Sequence, residues 1–99
     1  SVMKIQPIEN YVLLKLLKRD NKTDGGILLP GIEEHQDRAE VIAVGPGKRE
    51  GMIVHPCSFQ VGDIVFFTRY MAREIKNGEE TYLLTKGENI LAILKDDNS

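Results

Sequence analysis

The sequence predicts an all-β domain, a barrel or a sandwich, and three observations predict it. Short runs of β-branched, aromatic and aliphatic residues recur along the chain. Turn signals built on Gly, Asn, Asp and Pro stand between them. The 99 residues hold no linker, repeat or low-complexity tract, so they fit one domain, 1–99, with a small core that association between copies can supplement.

The first run, Tyr11 to Leu17, sets Leu13, Leu16 and Leu17 at helical spacing. It is nevertheless read as a strand, because it is short, lacks an N-cap and opens on Tyr-Val. Glu40 to Val44 is the second run and ends at "GPG", Gly45 to Gly47. "REG" at Arg49 to Gly51 and "VGD" at Val61 to Asp63 mark further reversals, where Gly supplies positive φ and Asp tolerates it. Asp63 to Thr68 is the third run. Asn77-Gly78, between "REIK" and "EETYLL", predicts a hairpin, since a type I′ turn wants positive φ at both central residues. Thr81 to Thr85 follows, then "KGEN" at Lys86 to Asn89, then the last run, Ile90 to Leu94.

Arg19 to Asp37 has no regular pattern, and a connection of this length in a compact domain is functional or disordered. In its middle stands "DGGILLPG", Asp24 to Gly31, in charged surroundings. A strand would turn Leu28 and Leu29 to opposite faces, so one sheet face could not bury Ile27, Leu28 and Leu29 together. Pro30 cannot donate to a ladder, and Gly25, Gly26 and Gly31 hold a fixed strand poorly. The competing reading is a short buried strand or a loop pinned to the core. The functional reading is a flexible loop that folds onto a partner's apolar groove. Burying three aliphatic side chains yields roughly 1.5–3 kcal/mol each. Fixing each backbone residue costs about 1–2 kcal/mol, and about five to ten would be ordered. One copy would bind weakly, and several on a rigid ring would bind well.

Composition excludes several classes. The chain is 41% hydrophobic and 28% charged, as an ordinary globular protein is. A formal net charge of -2 lacks the basic face that nucleic acid requires, and the cluster Lys15, Lys18, Arg19 reads as a solvated strand end. The single cysteine, Cys57, allows neither an internal disulfide nor a thiolate metal cluster. No run approaches membrane-span length and no signal-peptide pattern opens the chain, so a reducing, cytosol-like compartment is expected. "MKIQP" at Met3 reads as a native start, with Ser1 and Val2 as additions ahead of it.

"IQPIENYVLLKLL", "GGILLP", "RAEVIAVGPGK", "VGDIVFF" and "ENILAIL", in this order and over almost the whole chain, resemble the chaperonin-10 family of co-chaperonins, the lids of group I chaperonins. The resemblance implies a small irregular β-barrel and a heptameric dome. It implies a mobile loop, 19–37, in which Gly26, Ile27, Leu28 and Leu29 dock on a chaperonin-60 ring when that partner holds ATP or ADP. Gly25, Gly26 and Gly31 would give the loop its mobility. Lys48, Arg49, Glu50, Gly51, Met52 and Ile53 correspond to the roof hairpin that closes the dome. Lys4, Ile5 and Gln6 would pair with Ile90, Leu91, Ala92, Ile93 and Leu94 of a neighbouring subunit, and an uncovered terminal strand is indeed a sticky edge. No cofactor, metal or catalytic residue is implied for this chain, and neither nucleic acid nor a membrane is an expected partner. The enclosed partner is an unfolded polypeptide. A bacterial cytoplasm is expected rather than an organelle matrix. Three departures stand out: Ala39 where the family has Gly, which would stiffen the loop's C-terminal hinge; "MAREIKNGEE" after Tyr70; and the charge and polarity of the roof segment.

Two other classes compete. An OB-like barrel binding single-stranded nucleic acid or oligosaccharide would need stacking aromatics. Only Tyr11, Phe59, Phe66, Phe67, Tyr70 and Tyr82 are available. An enzyme could use His55 and Cys57, two apart and on one face of a strand, but no third orienting group accompanies them. They read better as a surface histidine and a small buried hydrophobe. Glu33, Glu34, His35 and Asp37 read as a solvated charge run rather than a metal site. "GPGK" lacks the Gly-Lys-Ser/Thr ending of a phosphate loop.

Overall fold

The computed structural model describes residues 3–18 and 34–95, with Lys18, Glu34 and His35 as backbone only. Eight strands follow in chain order: β1 Tyr11–Lys18, β2 Glu34–Val44, β3 Lys48–Glu50, β4 Ile53–His55, β5 Ile64–Phe67, β6 Arg73–Asn77, β7 Glu80–Lys86 and β8 Ile90–Leu94. Single 3₁₀ turns, Arg69–Met71 and Gly87–Asn89, stand before β6 and β8. All the strand pairs are antiparallel. Six strands form one sheet in the order β6-β7-β1-β2-β5-β8, and β3 and β4 form a separate hairpin.

The alternation of apolar residues curls the large sheet around one side of itself. Val12 and Leu14 of β1, Ala39 and Val41 of β2, Val65 and Phe67 of β5, and Leu83 of β7 are buried together, with Phe59 entering from the loop before β5. A sheet whose core lies on its own concave side is a small irregular barrel. Thr85, also buried, accepts a 3.0 Å hydrogen bond from the Asn89 amide, so its hydroxyl is satisfied. Leu13 lies on the other side of β1 and is buried as well. It shares a cleft with Met3, Lys4, Ile5 and Tyr82, so the N-terminal segment shields this outer apolar residue.

Three expectations are corrected by the register. The strand read as Glu40 to Val44 starts at Glu34, so residues 34–37 of the span 19–37 belong to a strand, whose pairing with β1 is bulged between Ala39 and Glu34. Lys18 pairs with Glu34 beyond the stretch covered by β5, where ladder bonds need no apolar face. Ala39 is fully buried in mid-strand between Leu16 and Val65, so its methyl is a core contact and not a hinge. The hairpin turn is centred one residue later than Asn77-Gly78. Asn77 pairs with Glu80, Gly78 has φ +66°, and Glu79 is not at positive φ, which is the pattern of a type II′ turn.

"GPG" ties the elements together. Gly45 donates to the Tyr11 carbonyl at 2.9 Å and Gly47 to the Glu9 carbonyl at 2.8 Å. A Cβ on Gly45 would stand 2.3 Å from the Glu9 carbonyl oxygen, and one on Gly47 2.2 Å from that of His55. Only glycine permits both approaches.

Candidate functional site

The segment 19–33 leaves and re-enters the barrel through two paired residues, Lys18 and Glu34. Gly25, Gly26, Ile27, Leu28, Leu29 and Gly31 lie outside the described residues. The rest of the surface offers an exposed hairpin and two open sheet edges.

Every residue of β3 and β4 is exposed. Gly51, at φ +61°, and Met52 make the turn, and Lys48, Arg49 and Glu50 pair with His55, Val54 and Ile53. Arg49 Nε donates to the Gly51 carbonyl at 3.2 Å. Across the pair, His55 Nε2 lies 3.7 Å from Glu50 Oε2. Met52 is 97% exposed, with Ile53 and Val54 beside it. A hairpin of this size is marginal alone, so its fixed position depends on its base: the Gly47–His55 approach and the packing of Cys57 and Phe59 on the barrel.

The large sheet ends at β6 on one side and β8 on the other. Among the described residues β8 pairs only with β5, its Ile90 and Ile93 pack against the core, and Leu91 and Leu94 face solvent. At the other end, Met3 is held by Asn77 of β6: its N–H donates to Asn77 Oδ1 at 2.9 Å, and Asn77 Nδ2 donates to its carbonyl. Gln6 Nε2 donates to the carbonyls of Pro7 at 3.1 Å and Val44 at 3.2 Å. The sequence marks Asn77 only as a turn residue and Gln6 only as part of a terminal strand; their side-chain bonds are not legible there, because the Met3–Asn77 contact joins positions 74 apart.

The remaining candidates for chemistry are not assembled into a reactive site. Burial pushes the Cys57 thiol above its ordinary value, the reverse of an activated thiolate. His55 ends β4, and Pro56 separates the two residues outside any strand. The amides of Gly45 and Gly47 are committed to backbone carbonyls and cannot cradle a phosphate. Among the described residues no group of three or more His, Cys, Asp or Glu could hold a metal ion, and no helix is long and apolar enough to cross a membrane. Phe59 and Phe67 are buried, and Tyr11 carries Lys86 Nζ 5.9 Å above its ring. Tyr70 is the one aromatic exposed among the described residues, too little for a stacking platform.

The family described as chaperonin 10 Kd subunit matches residues 4–94. A co-chaperonin GroES of Chlamydia felis is 37% identical over 97 residues, covering 95% of this chain and 94% of its own. A co-chaperonin GroES of Francisella tularensis subsp. novicida is 37% identical over 94 residues, covering 93% of this chain and 99% of its own.

Proposed function

The chain belongs to the chaperonin 10 Kd subunit family, the non-catalytic co-chaperonins of group I chaperonins, and on that footing we propose how its residues perform the role. The protein caps the cavity of a group I chaperonin under the control of nucleotide and assists the folding of polypeptide enclosed there. Gly26, Ile27, Leu28 and Leu29 make the contact, with Gly25 and Gly31 keeping the segment adaptable before docking. ATP or ADP is bound by the partner, and this chain supplies no cofactor site. Seven copies close into a dome in the cytoplasm, with residues 48–53 as its roof. The single observation that carries this reading is the family match across residues 4–94.

Two physical points support it. The gain from three aliphatic side chains nearly cancels the cost of ordering their loop, so the contact must be multivalent to hold and can be released together when the partner turns over nucleotide. The subunit also has two unlike open edges, the β8 edge and the N-terminal segment. Joining unlike surfaces head to tail gives a ring where the rotation between copies closes, as the proposed dome requires.

The test is size-exclusion chromatography with a purified group I chaperonin, with ATP or ADP and without nucleotide. Co-elution only with nucleotide is expected. Leu28→Asp should abolish co-elution, a loss of at least about a hundredfold in avidity, because burying one carboxylate per loop is repeated around the ring. The variant's own ring should elute unchanged. Undiminished co-elution of Leu28→Asp would refute the assignment of the loop.

A further inference from the structure

We propose that Asn77 is a positioning residue: it clamps residues 4–6 as a ready-made strand for the β8 edge of a second copy. This rests on the reading of the chain as a ring subunit. It goes beyond that reading by assigning the residue that prepares one side of the joint.

Lys4, Ile5 and Gln6 make no backbone–backbone hydrogen bond among the described residues. A row of free peptide groups is a template for pairing. Both ends of this row are nonetheless tied. At Met3 the Asn77 side chain supplies one acceptor and one donor, so a single amide satisfies the N–H and the C=O of one residue as a neighbouring strand would. At the other end the Gln6 amide reaches the Val44 carbonyl, and Pro7 biases Gln6 toward extended backbone. Between the ties, Ile5 is half-buried in the cleft that holds Leu13 and Tyr82. One side of the segment is therefore docked, and its peptide groups remain available.

The occupant is a second copy, and the partner element is β8. Among the described residues one edge of β8 is unpaired, with Leu91 and Leu94 exposed, and β8 lies at the opposite end of the sheet from β6, which carries Asn77. Pairing between copies joins unlike surfaces and repeats without using itself up, which is the head-to-tail joint the proposed ring needs. An unclamped segment would lose backbone freedom at the moment of pairing, whereas the clamp removes that loss beforehand.

The experiment measures the ring–monomer dissociation midpoint by sedimentation for the wild-type chain, Asn77→Ala and Asn77→Asp. The melting temperature of each is read at a dilution where the ring has dissociated. Asn77→Ala should weaken the ring by about tenfold or more, as expected when two hydrogen bonds and a preordered segment are lost together. Its monomer melting temperature should match the wild type. Asn77→Asp keeps the acceptor for the Met3 N–H and loses the donor to the Met3 carbonyl, and should fall between the two. A shift of less than tenfold for Asn77→Ala overturns the proposal. So does a monomer melting temperature that falls in step with the ring, because that outcome makes Asn77 part of the fold rather than of the joint. A wild-type chain that stays monomeric at every concentration overturns the ring reading itself, and the clamp with it.

Discussion

The two glycine-turned hairpins of this molecule, β3–β4 and β6–β7, are alike in local chemistry and opposite in tertiary use. Each turns on a glycine at positive φ, Gly51 at +61° and Gly78 at +66°. In β6–β7 the second strand pairs with β1, buries Leu83 and Thr85, and brings Asn77 to Met3. In β3–β4 no residue is buried, and Met52, Ile53 and Val54 are presented to water. The first hairpin exists because the core needs it. The second contributes almost nothing to the core, yet it is held in place at its base. Apolar residues that a fold fixes and does not bury mark a surface for contact. Such a surface fits the roof role proposed for residues 48–53, in which other copies would supply the missing burial.

The sharpest way to break the comparison is to detach the exposed hairpin. Gly47→Ala puts a methyl 2.2 Å from the His55 carbonyl oxygen at a φ of +125°. The backbone must move, and a loss on the order of 3 kcal/mol or more is expected in chemical denaturation. If the variant melts like the wild type, the hairpin's attachment is not what holds it. A gentler change sharpens the same contrast. Met52→Ser removes an apolar tip that is 97% exposed, so monomer stability should stay within about 0.5 kcal/mol. Ring dissociation at low concentration should become easier if the tips of neighbouring copies touch. A Met52→Ser ring as persistent as the wild type would leave the tip without a role in assembly.

How far these two hairpins were legible in the sequence follows from where their stabilising contacts lie. Ile90 to Leu94 was readable to its ends, because an apolar run sits between a Gly-containing turn and Lys95. Asn77-Gly78 announced a hairpin but misplaced its centre by one residue. Asn77 pairs with Glu80, and centring the turn on Asn77-Gly78 instead would shift β6 by two residues along β7, so no side chain would change face and Leu83 and Thr85 would stay on the core side either way. Hydrophobic patterning therefore could not distinguish the two turns. The early start of β2 left no trace in hydrophobic patterning, since "EHQD" extends the strand where no apolar face is required. "GPG" was visible as a turn, but its close approaches to Glu9 and His55 depend on chain segments far away in sequence. The candidate docking segment Gly26 to Leu29 stood out by composition alone. The Asn77 clamp could not, because a polar residue in a turn has many local explanations and its partner lies at the other end of the chain.

The smallest expected effect separates the two hairpins by their charges. Lys15 of β1 reaches Glu80 at the start of β7 at 2.8 Å, tying β6–β7 to the barrel. The comparable contact in β3–β4, His55 with Glu50 at 3.7 Å, ties that hairpin only to itself. The hydrogen bond and the charge of Glu80 hold the Lys15 ammonium above its ordinary 10.5. A cation whose folded value is raised contributes its stability below the unfolded value and loses it as pH climbs through the folded one. Lys15→Met should therefore melt slightly below the wild type near neutral pH, and the gap should close above pH 10.5, once the wild-type amine has also lost its proton. Both side chains are half exposed, so the gap should also shrink when salt is added. A gap that persisted at alkaline pH would mean the Lys15 stem matters by packing along β7 rather than by its charge.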